Sequence, residues 1–279
     1  MHWLIATDTA QGRATAEIVE AFLQKQGLVV QVYIPAGLSA ANTVAFSGGI
    51  DDLLTKLEDF TAGYDHVCFN LVGGFKSLQA YLNTIGMFYA DEIIYIFEGA
   101  NSELIRIPRL PIEIDFAKLR PQTRSLALMA AGADFPVMEL GDLSEAMVFK
   151  LDDVATLSNW GKLIWNRSKA ELLSQDLLDF SPWVTYAESF LKDFQNTKIA
   201  TERVKLQESI ARVAKLLGGS GGNTAALKVD GGLLYEVYVN QGGVAHFRIT
   251  QERRVSCVRT EQGLLLRHYG AHDYVNNNP

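Results

Sequence analysis

The sequence predicts an α/β, Rossmann-like doubly wound N-terminal domain with a helical connector, followed by a small α+β C-terminal domain. Three observations predict this. Strand and helix patterns alternate over residues 1–115, residues 116–179 are mixed and acidic, and from Phe180 onward helices precede a close series of strands. Alternation implies parallel strands joined by crossover helices, whereas segregated helices and strands imply an α+β unit. The domains are therefore placed at 1–115, 116–179 and 180–279, in a 279-residue chain long enough for about two domains.

In the first domain, Trp3–Ala6, Leu28–Ile34, His66–Val72 and Glu92–Phe97 read as strands. Arg13–Gln26, Ile50–Phe60 and Ser77–Met87 read as helices, the second with Leu53, Leu54, Leu57 and Phe60 on one stripe. Ile105–Ile114, extended around Pro108 and Pro111, adds edge or hairpin strands. The connector carries a helix over Lys162–Leu173. In the last domain Trp183–Ala187 is a strand and Glu188–Leu217 a helical hairpin broken near Asn196–Thr197. After the flexible Gly218–Gly222 turn come strand patterns at Ala225–Val229, Leu233–Val239, Val244–Thr250, Arg254–Arg259 and Leu264–Tyr269.

Apolar residues make up 48% and charged residues 20%, enough for a real core and against wholesale disorder. No apolar stretch reaches the ~18–20 residues of a membrane span, and the start reads as a strand rather than a leader, so a cytoplasmic protein without a membrane partner is expected. Cys68 and Cys257 lie far apart in apolar strand contexts, so buried free thiols are expected, with no disulfide and no metal. Charge is uneven: residues 1–179 hold 13 basic against 23 acidic residues, and residues 180–279 hold 12 against 9. The C-terminal part alone carries a positive balance that can touch phosphates.

Two loops follow strands at positions where doubly wound sheets bind ligands: Thr7–Gly12 and Asn70–Ser77. In the second, the pair Gly73–Gly74 lets backbone approach an anion, a helix N-terminus supplies free N–H groups, and Lys76 adds a point charge. A plain tight turn is the alternative. The stretch Asn70–Lys76, with Phe88–Gly99, Leu104–Pro111 and Thr156–Trp165, resembles the CARF domains of type III CRISPR accessory proteins over roughly residues 1–175. The resemblance implies a homodimer that binds a cyclic oligoadenylate, cyclic tetra-adenylate in the first instance, as an allosteric activator rather than a cofactor. It implies that Gly73, Gly74 and Lys76 hold phosphate and ribose while Asp8 and Thr9 face the ligand. Asn70, Phe75 and Glu98, within the same motifs, complete the implied set. Val72 stands where relatives often carry Thr or Ser.

Of five histidines, His246, His268 and His272 fall in the last 34 residues, among Arg248, Arg254 and Tyr274. RNA cleavage by the 2′-hydroxyl needs a proton acceptor, a proton donor and cations for the charged phosphorane, and no metal. Those six residues are the candidate catalytic set. His246 and Arg248 share a strand face, with Phe247 and Ile249 toward the core; Arg267 and Tyr269 lie opposite His268; and a loop after Gly270 carries His272 toward His246. Trp183–Asp193, Leu227–Lys228, Gly232–Val239, Gly243–Ile249 and Leu264–Val275 are similar to RelE-type toxins, ribosome-dependent mRNA endonucleases. Many relatives carry Arg where His246 falls and basic residues at Ala271 and His272. The implied function is a cyclic oligoadenylate-activated mRNA endonuclease whose partners are the ribosome and mRNA. The acidic connector either faces a basic ribosomal protein or is plain solubilising surface, and the second reading is preferred. An endonuclease acting on free RNA, a non-catalytic nucleotide-responsive regulator and a ligand-degrading N-terminal domain are the alternatives. The Arg-x-x-x-x-x-His helix motif of other CARF effectors is absent from the sequence.

Overall fold

The computed structural model describes residues 1–279 except Glu98, Ala100, Asn101 and Asn240. It divides into two units, Met1–Glu113 and Ile114–Pro279. Among the described residues no helix is long and apolar enough to cross a membrane.

The first unit runs β1 (His2–Ile5), α1 (Ala10–Lys25), β2 (Val30–Tyr33), α2 (Thr43–Thr61), β3 (Cys68–Asn70), α3 (Lys76–Tyr89), β4 (Glu92–Ile96) and β5 (Leu104–Pro108). Strands β1 and β2 pair in parallel across α1, and β3 and β4 pair in parallel across α3, as the alternating pattern predicts. Strand β5 returns antiparallel on β4. The single doubly wound sheet is not formed: the described strands make two sheets, β1-β2 and β3-β4-β5. Strand β3 has only three residues, so few backbone groups remain to recruit a further neighbour. Helix α2 starts seven residues before the expected Ile50, capped by Asn42, whose side chain accepts from Ala45 N at 2.8 Å. The helix-disfavouring pair Gly48–Gly49 hides that first stretch in the sequence. Cys68 is exposed on β3, contrary to expectation, because its strand leaves that side uncovered.

The second unit opens with α4 (Phe116–Leu119), α5 (Thr123–Ala130), β6 (Phe135–Pro136), β7 (Val148–Leu151), β8 (Val154–Leu157) and α6 (Asn159–Leu173). The segment expected to be a helical connector thus contains an antiparallel sheet of order β6-β8-β7. Its hairpin turns on Asp152–Asp153, with Asp152 at φ 51°, a left-handed conformation that short polar side chains tolerate. The buried side chains of this segment, such as Leu126, Met129, Trp165 and Leu173, share one core with Phe190, Ile210 and Phe247.

The chain continues through β9 (Val184–Tyr186), α7 (Glu188–Asn196), α8 (Ala200–Gly219), α9 (Ala225–Lys228), β10 (Glu236–Val237), β11 (Val244–Arg248), β12 (Arg253–Thr260), β13 (Gly263–Ala271) and α10 (His272–Asn277). The sheet order is β10-β11-β12-β13-β9, antiparallel except for the parallel pair β13–β9. The helical hairpin breaks after Asn196, as expected. The expected strand Ala225–Val229 is instead helix α9. There Asn223 Oδ1 accepts from Ala225 N at 3.0 Å and starts a turn that buries Leu227. The expected strand Leu233–Val239 shrinks to β10, because Asp230 Oδ1 takes the Gly232 and Leu233 amides and Leu234 lies at φ 47°.

One sheet face carries Phe247, Val255, Cys257, Leu266 and Tyr269 into the core shared with Phe190, Phe194 and Ile210. Phe247 is fully buried. Phe247→Ala is expected to cost about 3–5 kcal/mol, measured by denaturant unfolding of the full chain.

Candidate active site

The other face of this sheet is polar. Residues directly opposite on paired strands project to the same side. Glu236 pairs with His246, His246 with Ser256, and Ser256 with His268, which makes one row across four strands. Arg248, Arg254 and Gly270 make the next row. His246, Arg248, Arg254 and His268, drawn from three strands, thus meet on one face.

A β-bulge makes this possible. The register passes from Ser256–His268 to Cys257–Leu266, leaving Arg267 as the extra residue. Without it His268 would follow Leu266 to the core face by simple alternation. With it, Leu266 and Tyr269 are buried while His268 lies on the polar side.

Four atoms of this face are buried without a hydrogen-bond partner among the described residues: His246 Nδ1, Arg248 Nε, Arg254 Nε and Ser256 Oγ. Such atoms each cost about 1–3 kcal/mol when no partner is supplied. Arg248 and Arg254 are moreover direct cross-strand partners, a like-charge pairing that destabilises a sheet. An anion between them would satisfy both costs.

His246 is 7% exposed. Its ring lies 4.6 Å from the Tyr238 ring, and its Nε2 is 3.8 Å from Glu236 Oε2. Burial lowers its pKa below the usual histidine value, and Arg254 lowers it further; Glu236 opposes them, while His272 and Arg248 add to the lowering. A neutral imidazole at pH 7 is the result.

Helix α10 closes the constellation. Tyr274 packs on Gly270, where a Cβ would come within 2.6 Å of its ring, so only glycine admits this approach. Its hydroxyl donates to Asp193 Oδ1 at 3.1 Å and lies 3.2 Å from His268 Nδ1. Burial, followed by that bond to Asp193, raises the Tyr274 pKa, so the phenol keeps its proton. His272 does not ride a loop as expected: it is the first residue of α10, because its amide donates to Glu252 O at 2.9 Å and docks the helix start. It reaches the His246 side through Asn276, whose Nδ2 is 3.2 Å from His272 Nε2 and whose Oδ1 accepts from Tyr238 at 2.6 Å. Arg253 is turned away from this face, paired with Glu202 at 2.8 Å beside a pocket of about 370 Å³ that also includes Lys205 and Tyr269.

In the first unit, Gly73 and Gly74 adopt φ 111° and 81°, and a Cβ on either would meet nothing within 4 Å. The backbone there faces open space. Helix α3 starts at Lys76 behind Phe75, which gives no side-chain cap, so its first amides are available. Gln79 Nε2 holds the loop by donating to Leu71 O and Gly73 O, each at 3.0 Å. Phe75 lies 6.1 Å from Phe46 ring to ring, Lys76 is exposed, and Asn70 Oδ1 accepts from Val72 N at 3.0 Å. Asp8 does not present a free carboxylate: it accepts from Gly37 N at 2.9 Å and pairs with Arg13, which together lower its pKa. Thr9 caps α1 by accepting from Gly12 N at 3.0 Å. Glu98 lies outside the described residues.

Residues 1–110 match the family described as CRISPR-associated protein (Cas_APE2256). A search of curated proteins finds no match. Among solved structures, the RelB-RelE antitoxin-toxin complex from Methanococcus jannaschii aligns over 34% of this chain and 96% of its own, at 11% identity and a TM-score of 0.26. YafQ from E. coli strain BL21(DE3) aligns over 33% of this chain and 94% of its own, at 15% identity and a TM-score of 0.24.

Sequence reasoning missed Glu236, Ser256 and Asp193 as members of the constellation. Strand alternation relative to His246 and His268 points to the first two once the register is known. Asp193 lies on α7, 75 residues from His268, and no local pattern connects them.

Proposed function

We propose that this chain is a CRISPR-linked RNA endonuclease, switched on by a cyclic oligoadenylate and acting as a homodimer on mRNA held by the ribosome. The observation that carries the nuclease reading is the cross-strand pair Arg248–Arg254, with unpartnered buried Nε atoms, in the row beside the one that holds His246 and His268 on the same sheet face. The match of residues 1–110 to a CRISPR-associated family supports the defence context.

The chemistry follows from the groups present. Neutral His246 accepts the 2′-hydroxyl proton. The 2′-oxygen attacks the adjacent phosphorus, and Arg248 and Arg254 stabilise the added negative charge. The bond from phosphorus to the 5′-oxygen breaks, and His268, as the imidazolium with a proton on each ring nitrogen, gives that oxygen the one on Nε2. The products are a 2′,3′-cyclic phosphate and a 5′-hydroxyl. Tyr274 braces His268 rather than exchanging protons, since its hydroxyl proton is engaged by Asp193 Oδ1.

The activator reading draws on the uncapped amides of α3 and the open backbone at Gly73–Gly74. To act as a switch, the ligand must bind the active arrangement more tightly than the resting one. Gly74→Val is expected to weaken binding of cyclic tetra-adenylate by at least about tenfold in calorimetry, because a branched side chain would fill the space the anion needs and strain a left-handed position.

The decisive experiment compares cleavage of free RNA and of mRNA on translating ribosomes, each with and without cyclic tetra-adenylate. Cleavage only with both ribosome and ligand is expected. Equal cleavage of free RNA would remove the ribosome, cleavage without the cyclic nucleotide would remove the activator, and intact RNA throughout would remove the nuclease.

A further inference from the structure

We infer that Asp193 is the positioning residue of this site: it holds the Nδ1 proton of His268, in the neutral ring as in the imidazolium, and so leaves Nε2 as the nitrogen that meets substrate and gives up its proton in the reaction. The role in reaction rests on the nuclease reading above, whereas the tautomer does not.

Three donors converge on one carboxylate that is only 15% exposed. Tyr269 N donates to Oδ2 at 3.0 Å, His268 Nδ1 lies 3.1 Å from the same oxygen, and the Tyr274 hydroxyl donates to Oδ1 at 3.1 Å. A backbone amide can only donate, so Oδ2 is an acceptor, and a carboxylate has no proton to return. Nδ1 must therefore carry the hydrogen. Tyr274 spends its own proton on Oδ1, so its oxygen, 3.2 Å from Nδ1, reinforces the same choice as a second acceptor.

The backbone is held from the same helix face. Ser189 and Asp193 are four residues apart on α7, which places them side by side. Ser189 Oγ donates to Arg267 O at 2.5 Å, while Asp193 takes the amide of Tyr269. The two contacts bracket His268 at the bulge. They differ in kind: Ser189 touches backbone only, whereas Asp193 also touches the imidazole. Ser189 therefore provides a control for a merely structural role.

The test uses the full-length protein labelled with ¹⁵N-histidine. Two-bond ¹H–¹⁵N correlation spectra in alkaline buffer report which ring nitrogen is protonated, and His268→Gln identifies the His268 signals. The wild type should show the proton on Nδ1. Asp193→Ala should move the ring toward the Nε2–H form and lower cleavage about 100-fold with little change in KM. Added to His268→Gln, it should lower the rate no further. Asp193→Glu should restore part of the rate, and Ser189→Ala should lower thermal stability while leaving the tautomer intact. If the alanine variant does not fold, Asp193→Asn keeps the acceptor for Tyr269 N and should still slow cleavage at an unchanged melting midpoint. A wild-type ring protonated on Nε2, or a tautomer and rate indifferent to Asp193, would overturn the inference. A tautomer that responds to Asp193 in a protein that cuts no RNA would keep the positioning role and discard the nuclease reading.

Discussion

Replacement of His246 by alanine is expected to lower RNA cleavage about 10²–10⁴-fold and to abolish the acidic limb of the pH–rate profile. The sign follows from the environment. Burial and Arg254 lower the pKa of His246 below about 6.5, the ordinary histidine value. A base must be unprotonated to act, so the acidic limb of the profile should rise with pH through that lowered pKa. Stability follows the same direction. The unfolded chain takes up this proton at a higher pH than the folded one, so the contribution is complete above the unfolded pKa. It is lost as pH falls through the folded pKa. Rate profiles for wild type and His246→Ala, with melting curves over the same range, check both. A wild-type profile flat down to pH 4, or an alanine variant of full activity, would remove His246 as the base.

Much of this arrangement is legible in the sequence, for a physical reason. The parallel pairs β1–β2 and β3–β4 announce themselves because each is separated by a helix with its own apolar stripe. Likewise His246 and Arg248 share a face because β11 is regular, and Phe247 between them is fully buried. Residues 135–157 did not read as a sheet, since β6 has two residues and β7 and β8 have four each. Periodicity needs longer runs, and Asp152–Asp153 reads as surface charge until its turn is seen. The segment Ala225–Lys228 has an apolar composition that suits a strand, and one Asn223 contact turns it into a helix.

The site shows the same division. That three histidines and five arginines gather near the C terminus is visible as composition. That His268 joins His246 depends on one extra residue, Arg267, and a bulge leaves no mark in an alternating pattern. The N-terminal loop was read in part: the open backbone at Gly73–Gly74 follows from paired glycines, whereas the engagement of Asp8 by Gly37 and Arg13 depends on a loop 29 residues away.

Arg254→Met should have three separable effects, and their combination discriminates the proposed site from a merely basic surface. Cleavage should fall about 10²–10³-fold, the loss typical of removing one group that stabilises transition-state charge. The acidic limb of the residual activity should move to higher pH, because Arg254 is the charge that most opposes protonation of His246. The protein should become more stable, with a higher melting midpoint. Arg254 faces Arg248 directly across the ladder, and its buried Nε has no hydrogen-bond partner among the described residues. Replacing it by an apolar side chain of similar length removes a like-charge pair and an unsatisfied donor together. A residue kept for folding would behave in the opposite way. Lower rate with higher stability is the signature of a group whose cost in the free protein is offset only when an anion arrives. A melting midpoint that falls along with the rate would instead place Arg254 among the structural residues, leaving Arg248 and His268 as the remaining contacts for the phosphate.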